Sequence, residues 1–440
     1  MSPEEEKKLA KLYIVLILYM MLQHLSCLPL QSLARSSGFV VRRPRKLSLE
    51  AFLQSLLLGL GQSNYSFQNW AAHLSALQSR LFSKQALHRR CGRGLVKFLE
   101  LLLASLLGSS VRRDCCPERW QHFGRVLLQD STALALHPAL AQYFPACGNQ
   151  HQRSLASLKI QALFEVGSQR WLHFELGALT DNDQKASALI LSHLQPGDLV
   201  IRDLGYAVFE VWRQIMARGA YFLSRWRADF RLFEPHARQP LDLLAVLQNQ
   251  AQLSRPVLLG VEELLPLRLV ALRLPAPLIA QRRRRARANA RRDSALRLSQ
   301  RYLKLLEWTI LLTNVPDDRL SAQQVLEFYS CRWQIEVLFK SWKSQFRIGR
   351  LPTSNPLQVQ IQLLARLLAI TLLQNLFSPN LLARKDPLLS PLKIAAYFSV
   401  LLPLIAACPY QNWFDHFLYF CRYDSRHDRA NFFQKLSSLR

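Results

Sequence analysis

Two short apolar segments that each end in an aspartate constrain the fold of this 440-residue chain more than any other feature. Residues 125–130 read RVLLQD, and residues 198–203 read DLVIRD. Apolar runs of this length, bounded by turn residues and separated by helical stretches, are typical of buried strands in an α/β sheet. The two runs therefore predict an α/β fold in which Asp130 and Asp203 stand at strand ends.

The segments around these runs support the same fold class. Further strands are predicted at 158–166, 170–176 and 221–223, and a helix is predicted at 208–218. Up to about residue 110, and again after Pro356, the chain is rich in Leu and Ala with a helical texture. Between residue 228 and about residue 305, short apolar runs interrupted by Pro256, Pro266 and Pro275 predict a β-rich insertion.

The charge balance indicates a polyanionic partner. The chain has 57 Lys and Arg against 30 Asp and Glu, which gives a formal net charge of +27. Because like charges repel in a compact chain, so large a surplus is unfavourable unless a polyanion offsets it. Nucleic acid and an anionic membrane surface both fit, as does a place beside the ribosome, so charge by itself leaves the chemistry open.

Two basic segments are candidates for contact with that partner. Lys84, Arg89 and Arg90 belong to a short helix predicted to begin after the N-cap Ser83, and such a helix either lies against DNA phosphates or is simply solvated. The densest run, RRRRARANARR at 282–292, is interpreted either as a solvated or disordered loop or as a contact to the DNA backbone.

The sequence gives little support for a membrane or secreted protein. The apolar run at 12–22 is eleven residues long, whereas a membrane-spanning helix needs about 20. Glutamates at 4–6 occupy the region that is basic in a signal peptide, so a buried first helix is expected instead. The eight cysteines lack CxxC spacing, which indicates reduced thiols, although adjacent Cys115 and Cys116 could form a vicinal pair.

A single long helix is predicted over 321–346. At 100° per residue, Tyr329, Arg332, Glu336 and Lys343 fall within an arc of about 60° that borders the apolar face. A solvated charged stripe is the usual meaning of such a pattern. One acid among cations, beside a buried face and in a chain with two strand-end aspartates, favours a functional site instead.

Three carboxylates are therefore the candidate catalytic residues. Strand-end side chains of an α/β sheet point into the crevice where ligands bind, which applies to Asp130 and Asp203. Together with Glu336 they would supply hard oxygen ligands for two Mg²⁺ ions, with Mn²⁺ as a substitute. Two such ions can activate a nucleophile and stabilise the leaving oxygen at phosphorus. The acids at 181, 183, 317 and 318 are expected to be surface loop residues instead.

The pattern Tyr329-x2-Arg332-x3-Glu336-x6-Lys343 resembles the Y-R-E-K signature of the insertion-sequence-four family of bacterial DDE transposases. The resemblance extends to Asp130-Ser131-Thr132, Asp203-Leu204-Gly205-Tyr206, residues 221–225 and Thr313-Asn314. These motifs match in order from about residue 30 to about residue 350, and the last ninety or so residues match only in helical texture.

The resemblance implies an RNase H-like catalytic domain with a β-rich insertion, flanked by an all-helical N-terminal domain and a helical C-terminal region. The domains expected on this basis are a helical DNA-binding domain at 1–115, the two parts of the catalytic core at 116–227 and 311–355, the insertion at 228–310, and a helical region with a possible role in dimerisation at 356–440.

The resemblance also implies an activity and its partners. The expected reaction is Mg²⁺-dependent cleavage at the terminal inverted repeats of a transposon, hairpin formation, and joining of the 3′-hydroxyl ends to target DNA. The partners are double-stranded DNA and, in the synaptic complex, a second copy of the chain, with no membrane. The expected location is the bacterial cytoplasm, in association with the nucleoid.

Roles for individual residues follow from the same resemblance. Tyr329, Arg332 and Lys343 would contact the DNA end near the cut, and the N-terminal helix with Lys84, Arg89 and Arg90 would add further contacts. Trp308 either stacks on a flipped-out base, as a tight hairpin requires, or is a plain core residue.

Three other functions stay open at this point. One is an RNase H-like metal-dependent nuclease that does not join strands. Another is a DNA-binding regulator without catalytic activity, which the three acids argue against, because carboxylates beside DNA repel phosphate unless a metal is present. A membrane-associated protein is the least favoured.

Overall fold

The computed structural model describes residues 25, 28–42, 47–60, 66–108, 122–146, 155–292, 298–382 and 393. The apolar run at 12–22 and the adjacent cysteines Cys115 and Cys116 lie outside these residues. The chain divides into two compact units. The first comprises Met1–Cys115, Ser131–Asp181 and Gln334–Arg440, and the second comprises Cys116–Asp130 and Asn182–Trp333. The domain boundaries expected from the sequence stay predictions.

The first unit is built mainly from helices. They are α1 (Leu30–Ser36), α2 (Leu49–Leu60), α3 (Phe67–Gln78), α4 (Lys84–Arg90), α5 (Arg93–Gly108), α11 (Trp333–Ser344) and α12 (Pro356–Leu382). Trp333, the first residue of α11, is assigned to the second unit. As predicted, Ser83 caps α4, because its Oγ accepts a hydrogen bond from the amide of Ala86 at 3.2 Å. Such a cap satisfies one of the amides that a helix leaves unpaired at its N-terminus.

Large apolar side chains form the core of these helices. Phe52, Trp70 and Phe98 are completely buried, and each contributes about 1.5–3 kcal/mol through the apolar area removed from water. The indole Nε1 of Trp70 donates a hydrogen bond to Ser55 Oγ at 2.9 Å, so the buried polar atom is satisfied. The helical texture predicted for this part of the sequence is confirmed within the described residues.

A β-hairpin belongs to the same unit. Strands β2 (Ala156–Glu165) and β3 (Arg170–Ala178) are antiparallel, which confirms the two strands predicted there. Within this unit the strand order is β3-β2-β1, where β1 (Val126–Leu136) enters from the second unit after Asp130. The ring of Trp171 in β3 lies 4.6 Å from that of Trp342, which packs α11 against the hairpin.

Helix α12 contains the one segment of the described chain that is long and apolar enough to cross a membrane, Pro356–Asn375. Within the protein, however, 72% of this segment is buried. It packs against α5, α2 and β3 of the same unit. The core helix of a globular protein is apolar and mostly buried in the same way, so length and composition alone do not make α12 a membrane span.

The second unit contains a mixed sheet. Its strands are β1, β4 (Leu199–Arg202), β5 (Tyr221–Arg225), β6 (Leu232–Phe233), β7 (Gln252–Leu259), β8 (Leu265–Arg273) and β9 (Trp308–Thr313), in the order β1-β4-β5-β9-β8-β7-β6. The first three are parallel and the others pair antiparallel. Its helices are α6 (Phe209–Ala217), α7 (Leu243–Leu247), α8 (Ala276–Arg292), α9 (Gln300–Leu305) and α10 (Ala322–Ser330). The predicted α/β class is thus confirmed.

The basic run lies in α8, so its interpretation as a loop is wrong. The run forms a regular helix from Ala276 to Arg292, and Pro277 stands in its first turn, where proline is tolerated. Arginine and alanine both have high helix propensity, which the sequence prediction did not weigh against the charge.

The register between β1 and β4 is fixed at its start by a buried ion pair. Arg125 donates two hydrogen bonds to Asp198, from Nε to Oδ1 at 3.0 Å and from Nη2 to Oδ2 at 2.6 Å. The amide of Gln195 donates to the same Oδ2 at 2.7 Å. Because the side chain of Asp198 is only 1% exposed, its charge depends on these partners.

The other end of the β1–β4 pair is held by a buried polar network. The last register partners are Gln129 and Arg202. Arg202 Nη1 donates to Gln129 Oε1 at 3.3 Å and to both the carbonyl and the hydroxyl oxygen of Ser187 at 3.0 Å. Burial lowers the pKa of Arg202 to about 10, so the guanidinium remains charged near neutral pH. The two strands are therefore aligned from both ends.

We predict that Asp198→Asn lowers the free energy of unfolding by about 2–3 kcal/mol, because Arg125 then keeps a partly buried charge without its counter-ion. Urea denaturation measures the change. The matched control is Glu210→Gln, which removes an exposed ion pair with Arg213 and should leave stability nearly unchanged. Equal effects of the two substitutions would contradict a special role of Asp198 in aligning β1 and β4.

Candidate functional site

Asp130 and Asp203 each follow the last paired residue of the β1–β4 ladder. The ladder ends at Gln129 and Arg202, so the two aspartates are the next residues on their chains. Asp203 ends β4 as predicted and precedes a short 3₁₀ turn at Leu204–Tyr206. Asp130 does not end its strand, and that prediction is wrong: β1 continues to Leu136, where it has β2 as its neighbour.

Strand geometry separates the aspartates from the buried network. Successive side chains of a strand point to opposite faces, so Gln129 and Arg202 lie on one side and Asp130 and Asp203 on the other. The first pair is buried. The side chain of Asp130 is 15% exposed and that of Asp203 is 46% exposed. Asp203 is thus open to solvent and Asp130 is mostly buried, while the buried pair on the opposite face aligns the two strands.

A single guanidinium bridges the two acids. Arg332 Nη1 lies 3.6 Å from Asp130 Oδ2, and its Nε lies 4.0 Å from Asp203 Oδ1. Because the Arg332 side chain is only 11% exposed, its interaction with both carboxylates is screened less than on an open surface. The structure therefore brings Asp130, Asp203 and Arg332 together, although they are far apart in sequence.

Arg332 stands at a break in the predicted helix. The structure has α10 ending at Ser330 and α11 beginning at Trp333, so the prediction of one helix over 321–346 is wrong. The amides of Cys331 and Arg332 donate to carbonyls three residues back, which tightens the chain into a 3₁₀-like turn. Angles counted at 100° per residue therefore do not carry over from α10 to α11.

Tyr329 lies beneath the same cluster and stays protonated. Its side chain is buried, and burial raises its pKa to about 12. The positive charges of Arg225 and Arg332 act in the opposite direction, and the negative charge of Asp203 adds to the rise. The phenol is therefore neutral at physiological pH and can donate a hydrogen bond, and it is not a phenolate nucleophile.

Arg225 is a member of this cluster that the sequence analysis did not assign to the site. It is exposed, and its charge is felt by both Tyr329 and Arg282. The signal was present in the sequence, because Arg225 ends β5, the third parallel strand. Parallel strands finish at one edge of a sheet, the edge where Asp203 also lies.

The two tryptophans near the site differ in exposure. Trp308 opens β9 and is buried, with 7% of its surface exposed, which favours the interpretation as a core residue. Trp333 is 57% exposed, and the guanidinium carbon of Arg332 lies 5.2 Å from its ring centre. Trp333 begins α11 directly after the helix break, and no prediction from the sequence had assigned it to the site.

The remaining predicted residues lie in the first unit. In α11, Glu336 is half-buried in the first turn and Lys343 is exposed in the last turn. They are seven residues apart and so share one side of that helix. Lys84, Arg89 and Arg90 are all exposed on α4. Their assignment to a common site with the aspartates stays a prediction.

The acids that lie together suit a hard divalent cation. Within the described residues, no cluster of three or more His, Cys, Asp or Glu side chains has the geometry of a metal site. Asp130 and Asp203 nevertheless offer carboxylate oxygens from adjacent strand positions, the donor type that Mg²⁺ and Mn²⁺ prefer. The alternative acids Asp181, Asp317 and Asp318 are exposed, as expected for surface residues, whereas Asp183 is half-buried and lies against Gly205, so that expectation is wrong for Asp183.

Comparison with known proteins places these features in a family context. A family model described as "Transposase DDE domain" matches residues 121–372. The transposase for insertion sequence element IS231B from Bacillus thuringiensis subsp. berliner is 28% identical over 371 residues, covering 79% of this chain and 77% of the relative. The transposase for IS1151 from Clostridium perfringens is 23% identical over 364 residues, covering 78% and 76%.

A comparison of folds gives a weak similarity. The cryo-EM structure of the piggyBac transposase synaptic complex with hairpin DNA aligns with 95% of this chain and 87% of that chain. The TM-score is 0.43 at 10% sequence identity.

The pKa of Tyr329 gives a testable expectation. Burial favours the neutral phenol of Tyr329 in the folded protein. The stability that the neutral phenol contributes is fully present below pH 10, the ordinary pKa of tyrosine, and is lost as the pH rises through the folded-state pKa of about 12. The difference in absorbance at 295 nm between wild type and Tyr329→Phe should therefore stay near zero at pH 10, where a free tyrosine amide is half ionised. A phenolate signal already present at pH 9 would contradict this environment.

Proposed function

The chain belongs to the transposase DDE domain family, and we propose that it cuts DNA at the ends of a transposable element and joins the 3′-hydroxyl ends to target DNA. It is an enzyme of DNA transposition, as its insertion-sequence relatives are. The proposed catalytic residues are Asp130, Asp203 and Glu336.

One observation carries the proposal: two aspartates from adjacent parallel strands meet at one arginine of the Y-R-E-K pattern. The arginine joins two carboxylates from neighbouring strands in one place. Carboxylate oxygens brought together in this way are the ligands that a hard divalent ion prefers. The parallel strands β1, β4 and β5, continued by antiparallel strands, support an RNase H-like core with the insertion at 228–310.

Divalent ions complete the proposed chemistry. Asp130 and Asp203 would hold two Mg²⁺ ions, with Glu336 as the third carboxylate on the strength of its place in the sequence pattern. Mn²⁺ has the same preference for oxygen ligands and would substitute. When bound, the ions supply an activated nucleophile and a counter-charge for the leaving oxygen at phosphorus. Arg332 then becomes available to a DNA phosphate.

Other residues of the chain would hold the DNA. Tyr329 can donate a hydrogen bond from its neutral phenol, and Arg332 and Lys343 can pair with phosphates. Lys84, Arg89 and Arg90 on α4 would bind DNA farther from the cut. We also propose that two copies of the chain form the synaptic complex, and that the protein works inside the bacterial cell without a membrane.

We predict that Asp130→Asn, Asp203→Asn and Glu336→Gln each lower the rate of end cleavage by at least about 100-fold, because even the residues that support metal ligands are worth about 10–100-fold. The substrate is a duplex that carries the terminal inverted repeat of the element, with Mg²⁺ or Mn²⁺. DNA binding should change little. The matched control is Asp318→Asn, an exposed acid that should leave cleavage unchanged.

The products of this assay separate the alternative functions. Nicks at the repeat that expose 3′-hydroxyls, followed by joining to a second DNA, support the transposase. Cleavage at positions unrelated to the repeat, without subsequent joining, indicates a nuclease without strand transfer. Binding without cleavage indicates a regulator. A variant of one of the three acids that cuts at the normal rate would remove that residue from the site.

We further propose that Trp333, rather than the buried Trp308, stacks on an unpaired base at the DNA end. Stacking on an exposed aromatic ring is worth about 1–3 kcal/mol per base. With 2-aminopurine at the end of the duplex, Trp333→Ala should restore fluorescence that wild type quenches, and Trp333→Phe should retain much of the quenching.

The matched comparison is Trp308→Phe, which keeps a large ring in the core and should leave the quenching as in wild type. If Trp308→Phe abolishes quenching while Trp333→Ala does not, the assignment must be reversed.

A further inference from the structure

Helix α8 carries more positive charge than a helix normally tolerates. Ala276–Arg292 contains seven arginines and no acidic residue. Like charges three or four positions apart on a helix destabilise it by about 0.2–0.5 kcal/mol per pair. The helix therefore needs contacts that offset the repulsion, and its arginines divide into two sets according to whether they have such contacts.

Two arginines of α8 form hydrogen bonds with β9 and the segment before it. Arg282 donates hydrogen bonds to the carbonyl oxygen of Trp308 at 2.9 Å and to Thr309 Oγ1 at 3.1 Å. Arg283 donates to Glu307 Oε1 at 2.6 Å and to the carbonyl oxygen of Leu303 at 3.3 Å. These contacts hold the helix beside β9 and fix the direction in which its other face points.

A second set of arginines on α8 is exposed. Arg284, Arg287 and Arg291 fall within an arc of about 60° at 100° per residue. All three are exposed, and none forms an ion pair with an acid in the described part of the chain. A rigid row of arginines without internal counter-ions suits bidentate recognition of phosphates.

This face, which we call the α8 arginine face (Arg284, Arg287 and Arg291), is connected to the candidate site through the sheet. Arg282 bonds α8 to β9, and β9 pairs with β5, where Leu311 is the register partner of Arg225. Arg225 is itself exposed at the end of β5. Strand β5 pairs in parallel with β4, after which Asp203 lies, so α8 and the two aspartates belong to the same sheet of the second unit.

We propose that the α8 arginine face binds the phosphate backbone of duplex DNA next to the site of cleavage. Arg284 and Arg291 are seven residues apart, a rise of about 10 Å, which matches the axial span of about three phosphates on one strand. Contacts of this kind position a duplex without regard to its sequence. The inference rests on the proposed function for its location beside a cut, but the binding itself is separately testable.

The test compares two pairs of substitutions in the full-length chain. Arg284→Gln with Arg287→Gln removes two charges from the α8 arginine face. Arg218→Gln with Arg238→Gln removes two exposed charges of the same unit elsewhere and is the control. Binding to a fluorescent duplex is measured by anisotropy from 50 to 300 mM KCl. We expect the first pair to lower the slope of log K against log salt by about 1.8 and to weaken binding roughly tenfold or more, on specific and unrelated duplexes alike.

The control pair should keep the wild-type slope. A third variant, Arg284→Lys with Arg287→Lys, keeps both positive charges and should retain most of the slope. A smaller slope in the glutamine pair alone would then be caused by the lost charge and not by replacement of the two side chains. An unchanged slope in the glutamine pair, with wild-type thermal unfolding, would overturn the proposal. So would loss of binding to phosphatidylserine vesicles with DNA binding intact, which would assign the face to a membrane.

Cleavage of repeat-containing DNA by the same proteins separates this proposal from the proposed function. If wild type binds DNA through the α8 arginine face but cuts no DNA with Mg²⁺ or Mn²⁺, the proposed function fails and the interface stands. If wild type cuts normally and the glutamine pair binds and cuts as wild type does, the interface fails and the proposed function stands.

Discussion

The alignment of β1 with β4 is the constraint on which the candidate site depends. Because side chains alternate along a strand, a shift of one residue in either strand would turn its aspartate to the opposite face. The structure secures the register at both ends, with the Arg125–Asp198 ion pair before the ladder and the Gln129–Arg202 network at its last rung. The two aspartates of the candidate site are thus aligned by buried residues on the opposite face of the strands and at their start.

Electrostatics explains why these particular groups lie together. Asp130 and Asp203 would repel one another, and Arg332 offsets that repulsion from a largely buried position in the turn between α10 and α11. The carboxylate oxygens are of the type that a divalent cation prefers, and the neutral Tyr329 adds a hydrogen-bond donor without adding charge. The same unit carries exposed arginines at Arg225 and on α8, which would attract a polyanion.

The sequence alone was sufficient for the short buried strands, the α/β class, the hairpin and the position of Asp203 directly after β4, because hydrophobic period and turn residues are local signals. It failed where the outcome depends on tertiary partners. Asp130 looked like a strand end because polar residues follow it, but pairing with β2 extends the strand. The break before Trp333 has no proline or glycine to mark it. The basic run has high helix propensity, and Arg282 and Arg283 offset part of its charge repulsion through carbonyl and carboxylate partners on the β9 side.

The central claim is that Asp130 and Asp203 hold divalent cations together, and Mn²⁺ binding tests it most directly. Free Mn²⁺ is followed by electron paramagnetic resonance while the ion is titrated into the protein with a short duplex, and comparison among variants cancels the ions that DNA itself holds. The account predicts that Asp130→Asn and Asp203→Asn each lose sites that wild type and Asp318→Asn both fill. Mn²⁺ uptake by both aspartate variants equal to that of wild type would contradict it.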